Sequence, residues 1–193
     1  MRTSEVEILI VPGWSGSGPD HWQSRWERSL KTARRIDQQH WREPDREQWT
    51  GRIVAAVAEA ALPPVLVAHS LGVAAVVHAA AKLPHGLVAG AMLVAPADVD
   101  NAKGWPLTDG ETLPAEETGF APLPLSPLPF PALVIASSDD PYCSLPRAQT
   151  MAEAWGAEFV DAGEQGHINT ASGHGPWPDG LLRFGGFLRG LSV

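Results

Sequence analysis

Four polar side chains, Ser70, Asp139, Asp140 and His167, each follow a short apolar segment of the sequence. A serine hydroxyl becomes a nucleophile when a neighbouring imidazole accepts its proton, and a carboxylate is needed to orient that imidazole. Serine, aspartate and histidine occur in this order along the chain. These residue types predict nucleophilic acyl transfer, provided that the fold brings them together.

Ser70 lies at a predicted strand-to-helix turn. The sequence of residues 65–75, VLVAHSLGVAA, runs from a buried strand through the serine directly into a small-residue helix. Such a turn lifts the hydroxyl to the carboxyl edge of a sheet, and it requires small residues two positions before and after the serine. Those residues are Ala68 and Gly72, so alanine replaces the first glycine of the G-x-S-x-G pattern. The alternative interpretation is a serine that merely caps an ordinary helix.

A glycine-rich loop, residues 12–18 (PGWSGSG), follows the first apolar segment. Its backbone N–H groups can form an oxyanion hole together with that of Leu71. We predict Trp14 as the donor from the loop, with Ser15 as the alternative, since the loop lacks the lysine and glycine pattern of a phosphate-binding loop. Trp14 and Trp22 also fit core positions. The candidate pocket-lining residues are Gly13, Ser15, Trp22, His69 and Asn169.

Three carboxylates compete to orient the imidazole of His167. Asp98 follows the fourth predicted strand, whereas Asp139 and Asp140 follow the fifth. Adjacent residues of an extended segment point in different directions, so only one of this pair can meet the histidine. Because Pro141 holds the residue before it in extended geometry, we favour Asp140 and keep the other two as alternatives.

The remaining histidines do not predict a metal site. His69 occupies the variable position before the serine, and His78 lies within a predicted helix, where we expect it to be packed. Surface or loop positions are expected for His21, His40, His85 and His174. No pair has the spacing of zinc ligands with a third ligand nearby, and Cys143 is a single cysteine.

The elements that must position these residues alternate between strands and helices. Apolar runs predict strands at 5–11, 33–39, 65–69, 88–95, 131–137 and 157–161. Helices are predicted at 20–30 with Asp20 as the cap, 46–62, 70–83, 145–155 and 179–189. This pattern predicts an α/β fold, with a doubly wound, mostly parallel sheet of about six strands in the order 2-1-3-4-5-6 and helices on both faces. Ser70 and the glycine-rich loop then lie at the topological switch point.

The length of 193 residues fits one domain, 1–193, without a large cap domain. Residues 97–130 are rich in proline and lack periodicity, so we predict an irregular segment near the site that borders the pocket and limits acyl length.

Composition excludes several classes of protein. The net charge of -8 disfavours a nucleic-acid partner, and no apolar run is long enough to span a membrane. The N-terminal residues lack the pattern of a signal peptide, and the single cysteine gives no intrachain disulfide. We therefore expect a cytoplasmic protein without nucleic-acid or membrane partners, and nothing in the sequence indicates a protein partner.

Several short motifs occur together over nearly the whole chain. They are Val11-Pro12-Gly13-Trp14, His21-Trp22, Ala68-His69-Ser70-Leu71-Gly72, Ser138-Asp139-Asp140-Pro141, Gly166-His167-Ile168-Asn169 and Trp177-Pro178. In combination they resemble the small serine hydrolases of the YdeN-like group in the α/β-hydrolase superfamily, which also includes retinoblastoma-binding protein 9.

The resemblance implies a catalytic triad of Ser70, Asp140 and His167 that works without a cofactor. The implied reaction is hydrolysis of small carboxylic esters or related acyl compounds through an acyl-enzyme on the serine. Ala68 departs from the usual glycine. The alternatives are a thioesterase, amidase or acyltransferase of the same fold, and a non-catalytic protein-interaction module, because members of this group are named for partner binding.

Overall fold

The computed structural model of the chain describes residues 3–106 and 118–191. Six parallel strands form one sheet in the order β2-β1-β3-β4-β5-β6, which confirms the predicted fold class. The strands are β1 Ile8–Val11, β2 Ala33–Arg35, β3 Val65–His69, β4 Gly90–Val94, β5 Ala132–Ala136 and β6 Glu158–Asp161. Every residue of β1, β3, β4 and β5 is buried, as expected for a parallel sheet that is covered on both faces.

Within residues 3–106 and 118–191, five α-helices connect the strands and cover the sheet. They are α1 Trp22–Ser29, α2 Arg46–Ala58, α3 Leu71–Ala80, α4 Leu145–Trp155 and α5 Pro178–Gly190. Short 3-10 helices occupy Thr3–Glu5, Val99–Gly104 and Thr170–Ser172. The helices begin where their polar residues can cap them: the Asp45 carboxylate accepts a hydrogen bond from the N–H of Gln48, and the Ser144 hydroxyl accepts one from Arg147. The predicted segment 97–130 is described only in part, because residues 107–117 lie outside the described residues.

The cap of α1 differs from the prediction. The Nδ1 atom of His21, rather than Asp20, accepts a hydrogen bond from the backbone N–H of Gln23 at 3.2 Å. The Asp20 carboxylate instead binds the guanidinium of Arg25 at 3.0 Å on the exposed side of the helix. The helix therefore begins at Trp22, and its cap is an imidazole that is almost completely buried.

Each face of the sheet has its own core, because successive side chains of a strand point to opposite faces. Leu9 and Val11 of β1 pack in the cluster that includes residues of α2, α3 and α4. Ile8 and Ile10 pack in the other cluster, which includes residues of α1 and α5. The carboxyl ends of the strands are thus supported by a packed layer on each face of the sheet.

The turn between β3 and α3 brings two segments of backbone into close contact. Ser70 has φ 57° and ψ -127°, a conformation that residues other than glycine rarely adopt. A Cβ atom on Gly72 would lie 2.6 Å from the carbonyl oxygen of Pro12 and would overlap that of Val11. A Cβ atom on Gly13 would lie 2.8 Å from the Cβ atom of Ser70. Only glycine at these two positions lets the loop after β1 approach the turn this closely.

We expect Gly72→Ala to lower the free energy of unfolding by at least about 2 kcal/mol, because the added methyl group overlaps backbone atoms that cannot move freely. The matched control is Gly51→Ala in α2, where an added Cβ atom meets nothing within 4 Å. Gly51→Ala should raise the free energy of unfolding by about 0.5–1 kcal/mol, because alanine has a higher helix propensity than glycine. Urea denaturation followed by circular dichroism measures both. Equal stability of the two variants would show that this close approach is not needed.

Candidate active site

Loops at the carboxyl edge of the sheet bring Ser70, His167 and Asp140 together. The serine lies between β3 and α3, the aspartate follows β5, and the histidine follows β6. The Ser70 hydroxyl donates a hydrogen bond to Nε2 of His167 at 2.8 Å. The Nδ1–H group of His167 lies 2.9 Å from both carboxylate oxygens of Asp140. The imidazole that fits this series is neutral and carries its proton on Nδ1, so its Nε2 atom is free to accept the serine proton.

Asp139 points away from the imidazole and has other partners. Its Oδ1 atom accepts hydrogen bonds from the Ser137 hydroxyl at 2.6 Å and from the N–H of Gly166 at 2.7 Å. These two hydrogen bonds, the first being the larger cause, lower the pKa of Asp139. Asp139 therefore joins the end of β5 to the loop after β6 through Gly166, the residue directly before His167.

Asp98 is also occupied elsewhere. One of its carboxylate oxygens lies 3.2 Å from Nε of Arg147, and the other accepts a hydrogen bond from the side-chain amide of Asn101. Arg147 also binds Asp100 at 2.6 Å. Asp98 thus anchors the 3-10 helix Val99–Gly104 to α4. Among the three predicted candidates, the geometry brings only Asp140 into contact with His167.

Two backbone N–H groups beside Ser70 are suited to an oxyanion hole. Within residues 3–106 and 118–191, the N–H groups of Trp14 and Leu71 have no hydrogen-bond acceptor. The N–H of Ser15, by contrast, donates to the carbonyl oxygen of Trp41 at 2.9 Å. This distinguishes Trp14 from the alternative donor. Gly13 makes the arrangement sterically feasible because it packs directly against the serine.

The hydroxyl of Ser70 borders a cleft with a volume of about 230 Å³. Aromatic rings form part of its wall, and none of its described lining residues is an aspartate, glutamate, lysine or arginine. The lining includes Trp14, Trp105, Tyr142, His21, His69 and Asn169. A cleft smaller than the usual range of roughly 300–1,000 Å³ suits a small ligand, and its uncharged wall suits an uncharged one.

The predicted lining residues divide into two groups. Gly13, His69 and Asn169 line the cleft, whereas Ser15 and Trp22 are not among the lining residues. Trp22 is completely buried in the core, a position that its sequence also allowed. Its indole N–H nevertheless acts on the site, because it donates to the carbonyl oxygen of Ile168 at 2.9 Å, directly after the candidate base.

Sequence reasoning missed the ring that covers His167. The Tyr142 ring lies with its centroid 4.3 Å from that of His167, and the Tyr142 N–H donates to Oδ1 of Asp140 at 2.9 Å. The indole N–H of Trp105 in turn donates to the carbonyl oxygen of Tyr142 at 3.1 Å. The position of Tyr142, two residues after Asp140, is the one signal in the sequence that could have identified it.

Two further imidazoles lie beside His167, in series. The ring centroid of His69 is 4.9 Å from those of both His21 and His167. The Nε2–H group of His69 donates to the carbonyl oxygen of His167 at 2.8 Å. Burial lowers the pKa of His69 well below its usual value, and burial followed by the charge of Arg35 lowers the pKa of His21 to about 3. Both rings are therefore neutral at physiological pH.

His21 and His174 lie outside the helices and strands, as expected of loop positions, but neither is at the surface. Both are more than nine-tenths buried, because α1 and the loop after β6 close over them. His174 contacts the Ser172 hydroxyl and the side-chain oxygen of Gln165, and burial lowers its pKa. His78 is partly exposed and binds the carbonyl oxygen of Phe120. His40 and His85 are exposed, as expected.

The other reactive or metal-binding possibilities are limited. Burial, reinforced by the charges of Asp98 and Asp140, raises the pKa of the Cys143 thiol to about 12, so this cysteine is not a thiolate nucleophile. In the part of the chain that the structure describes, no three His, Cys, Asp or Glu side chains are placed to hold a metal ion. None of the described helices is both long enough and apolar enough to cross a membrane.

Comparison with protein families identifies the family of this chain. The model of the serine hydrolase family matches residues 8–185, a range that contains Ser70, Asp140 and His167. The chain belongs to the serine hydrolase family. No curated protein sequence matches it.

Solved structures agree with this family. A YdeN-like hydrolase from Pectobacterium atrosepticum has 36% sequence identity to this serine hydrolase and a TM-score of 0.81. The match covers 96% of this chain and 92% of that chain. This similarity confirms the resemblance to the YdeN-like group. The ydeN gene product from B. subtilis has 18% identity and a TM-score of 0.69, with 93% of this chain and 98% of that chain covered. The esterase domain of a Rhodothermus marinus protein has 17% identity and a TM-score of 0.66, with 94% and 85% covered. The last two show the fold alone.

We expect Asp140→Asn to remain folded and to lower kcat for ester hydrolysis on the order of 10³–10⁴-fold, because an amide favours the wrong tautomer of His167. Asp139→Asn is the matched control in the adjacent position. It should lower kcat by less than about tenfold, since Asp139 contacts the loop rather than the imidazole. A crippled Asp139→Asn variant beside a normal Asp140→Asn variant would move the assignment by one residue.

The buried histidines predict that this serine hydrolase loses stability on mild acidification. The pKa of His21 is about 3 in the folded chain and about 6.5 when unfolded, so between these values only the unfolded state binds the proton. Above pH 6.5 the contribution of His21 to the free energy of unfolding does not change with pH. Below pH 6.5 the free energy of unfolding falls by up to about 1.4 kcal/mol per pH unit. Urea denaturation at pH 7, 6 and 5 measures this slope. His21→Asn, which can still cap α1, should flatten it; identical slopes would contradict the assignment.

Proposed function

We propose that this serine hydrolase cleaves small, uncharged carboxylic esters or related acyl compounds through an acyl-enzyme on Ser70. The observation that carries the proposal is the hydrogen-bonded series from Ser70 through His167 to Asp140, which begins at an open cleft. In this proposal the three residues act as nucleophile, base and orienting acid.

Acylation begins when Nε2 of His167 accepts the proton of the Ser70 hydroxyl. The serine Oγ atom then forms a bond to the carbonyl carbon of the ester, and the carbonyl oxygen becomes an oxyanion. The free N–H groups of Trp14 and Leu71 stabilise that charge. When the bond to the leaving oxygen breaks, the imidazolium returns its proton to that oxygen, and the alcohol departs.

Deacylation repeats these steps with water. His167 accepts a proton from the water molecule, the water oxygen attacks the acyl carbon, and Ser70 leaves with the proton from the imidazolium. Asp140 stabilises the imidazolium in both halves of the reaction. Tyr142 covers one face of the imidazole, which limits the access of bulk water to the ion pair.

The cleft supports the proposed substrate class. Its volume of about 230 Å³ accommodates a short acyl or alcohol group, and its described wall offers no charged side chain to bind an ionic substrate. Trp105, within residues 97–130, is part of this wall, so we propose that the segment limits the length of the acyl chain. Esterases occur among the proteins of similar fold.

A fluorophosphonate probe tests the nucleophile. We expect it to label Ser70 alone, because among the described serines only this one contacts an imidazole and lies beside free N–H groups. Ser70→Ala should abolish labelling and lower turnover by about 10⁶-fold. Ser138→Ala is the control, because that serine is exposed and lies on the neighbouring loop. Mass spectrometry of the labelled peptide measures the site.

The same experiment separates the alternatives. A non-catalytic interaction module would not react with the probe, and labelling at Ser15 or Ser138 would refute the assignment of the nucleophile. Hydrolysis of 4-nitrophenyl esters with acyl chains of increasing length, beside amide and thioester analogues, then identifies the acyl compound. Rates that are highest for short esters support the ester as substrate, and rates that are highest for amides or thioesters contradict it in favour of the amidase or thioesterase alternative.

A further inference from the structure

His21 presents one fixed hydrogen-bond donor. Its Nδ1 atom accepts a hydrogen bond from the N–H of Gln23, so this nitrogen carries no proton. The ring is neutral, because burial lowers its pKa to about 3. The single ring proton of His21 is therefore on Nε2 at every physiological pH.

This Nε2–H group has no partner in the described part of the chain. No hydrogen bond joins it to residues 3–106 or 118–191, although the His21 residue is only 6% exposed. The Nε2 atom is also not fully buried. Among the described residues, Gln38 Oε1 is the only side-chain polar atom that is both fully buried and without a partner, and His21 Nε2 is therefore partly accessible. His21 is a lining residue of the cleft beside Ser70, so this cleft is the described void into which the Nε2–H group can open.

Packing fixes the direction of this donor. The His21 ring lies edge-on to His69 at 4.9 Å and tilted against Trp22 at 5.4 Å, while the cap holds its Nδ1 side. His69 in turn contacts His167 at 4.9 Å. The donor thus belongs to a residue that lines the same cleft as the proposed nucleophile. It takes no part in the hydrogen bonds among Ser70, His167 and Asp140.

We propose that His21 binds substrate and selects esters that carry a second hydrogen-bond acceptor, such as an ether, hydroxyl or carbonyl oxygen, besides the scissile carbonyl group. The inference rests on the proposed function, because it assigns the substrate class of the same cleft. A donor that has no protein partner loses its hydrogen bond to water when a purely hydrocarbon group covers it. Replacing that hydrocarbon by an acceptor oxygen restores the bond, and the site discriminates between the two esters.

Matched esters measure this discrimination. On the acyl side, 4-nitrophenyl methoxyacetate is compared with 4-nitrophenyl butanoate, and on the alcohol side 2-methoxyethyl acetate is compared with butyl acetate. Within each pair an ether oxygen replaces a methylene group. The readout is the ratio of kcat/KM for the ether ester to that for its methylene partner, relative to the same ratio in the unmodified protein. Differences in intrinsic reactivity and general losses of activity cancel in this comparison.

Two substitutions separate the donor from the cap. His21→Asn places an acceptor oxygen near the position of Nδ1 and can cap α1, but it does not reach the position of Nε2. His21→Gln can place an amide N–H near Nε2, but glutamine is a poor cap. We expect the ratio to fall about fivefold to tenfold for at least one pair in His21→Asn, the effect of one hydrogen bond, and to stay within about twofold in His21→Gln.

A purely structural role predicts the opposite order. His21→Gln would then be the more damaged variant, with a lower Tm, and the ratio would not change in His21→Asn; that unchanged ratio in both pairs overturns the inference. Failure of the proposed function is distinct from this result. In that case the unmodified protein would neither react with a fluorophosphonate nor hydrolyse any of the four esters.

Discussion

The contact between the end of β1 and the turn that carries Ser70 is the constraint on which the rest of the site depends. The carbonyl groups of Val11 and Pro12 lie where a side chain of residue 72 would have to be. This close approach brings Gly13, the residue before Trp14, against Ser70 and the N–H of Leu71, and it accompanies the positive φ of Ser70. The strain is maintained because β1 and β3 are adjacent, fully buried strands that cannot separate without opening both cores.

The imidazole of His167 is positioned by elements that are otherwise structural. Its carbonyl oxygen binds His69 at the end of β3, the next carbonyl oxygen binds Trp22 of α1, and the N–H of Gly166 binds Asp139 after β5. These hydrogen bonds fix the loop on both sides of the histidine, so its ring meets Ser70 and Asp140 without a separate supporting domain. The buried position of Trp22 therefore belongs to the site as much as to the core.

The sequence was sufficient for the sheet and for the residues whose direction is set locally. The strand order follows from alternating elements and right-handed crossovers, and the direction of Asp140 follows from the proline after it. Residues whose place depends on distant segments could not be predicted. Tyr142 meets His167 only because β5 and β6 are neighbours, and Asp20, although a good capping residue by type, is exposed and pairs with Arg25 while His21 is drawn into the core.

The imidazoles of His21 and His69, which lie in series beside His167, are neutral because burial lowers the pKa of both. A proton on His167 would repel a proton on either ring, and this repulsion is a further cause, after burial, of the lowered pKa of His21 and of His69. Burial keeps these two rings uncharged, since neither ring can be solvated as a cation. Asp140 is the carboxylate in direct contact with His167, where in the proposed mechanism it stabilises the imidazolium. As neutral rings, His21 and His69 each carry a single proton, which His69 donates to the carbonyl oxygen of His167 and which His21, in our proposal, offers to the substrate.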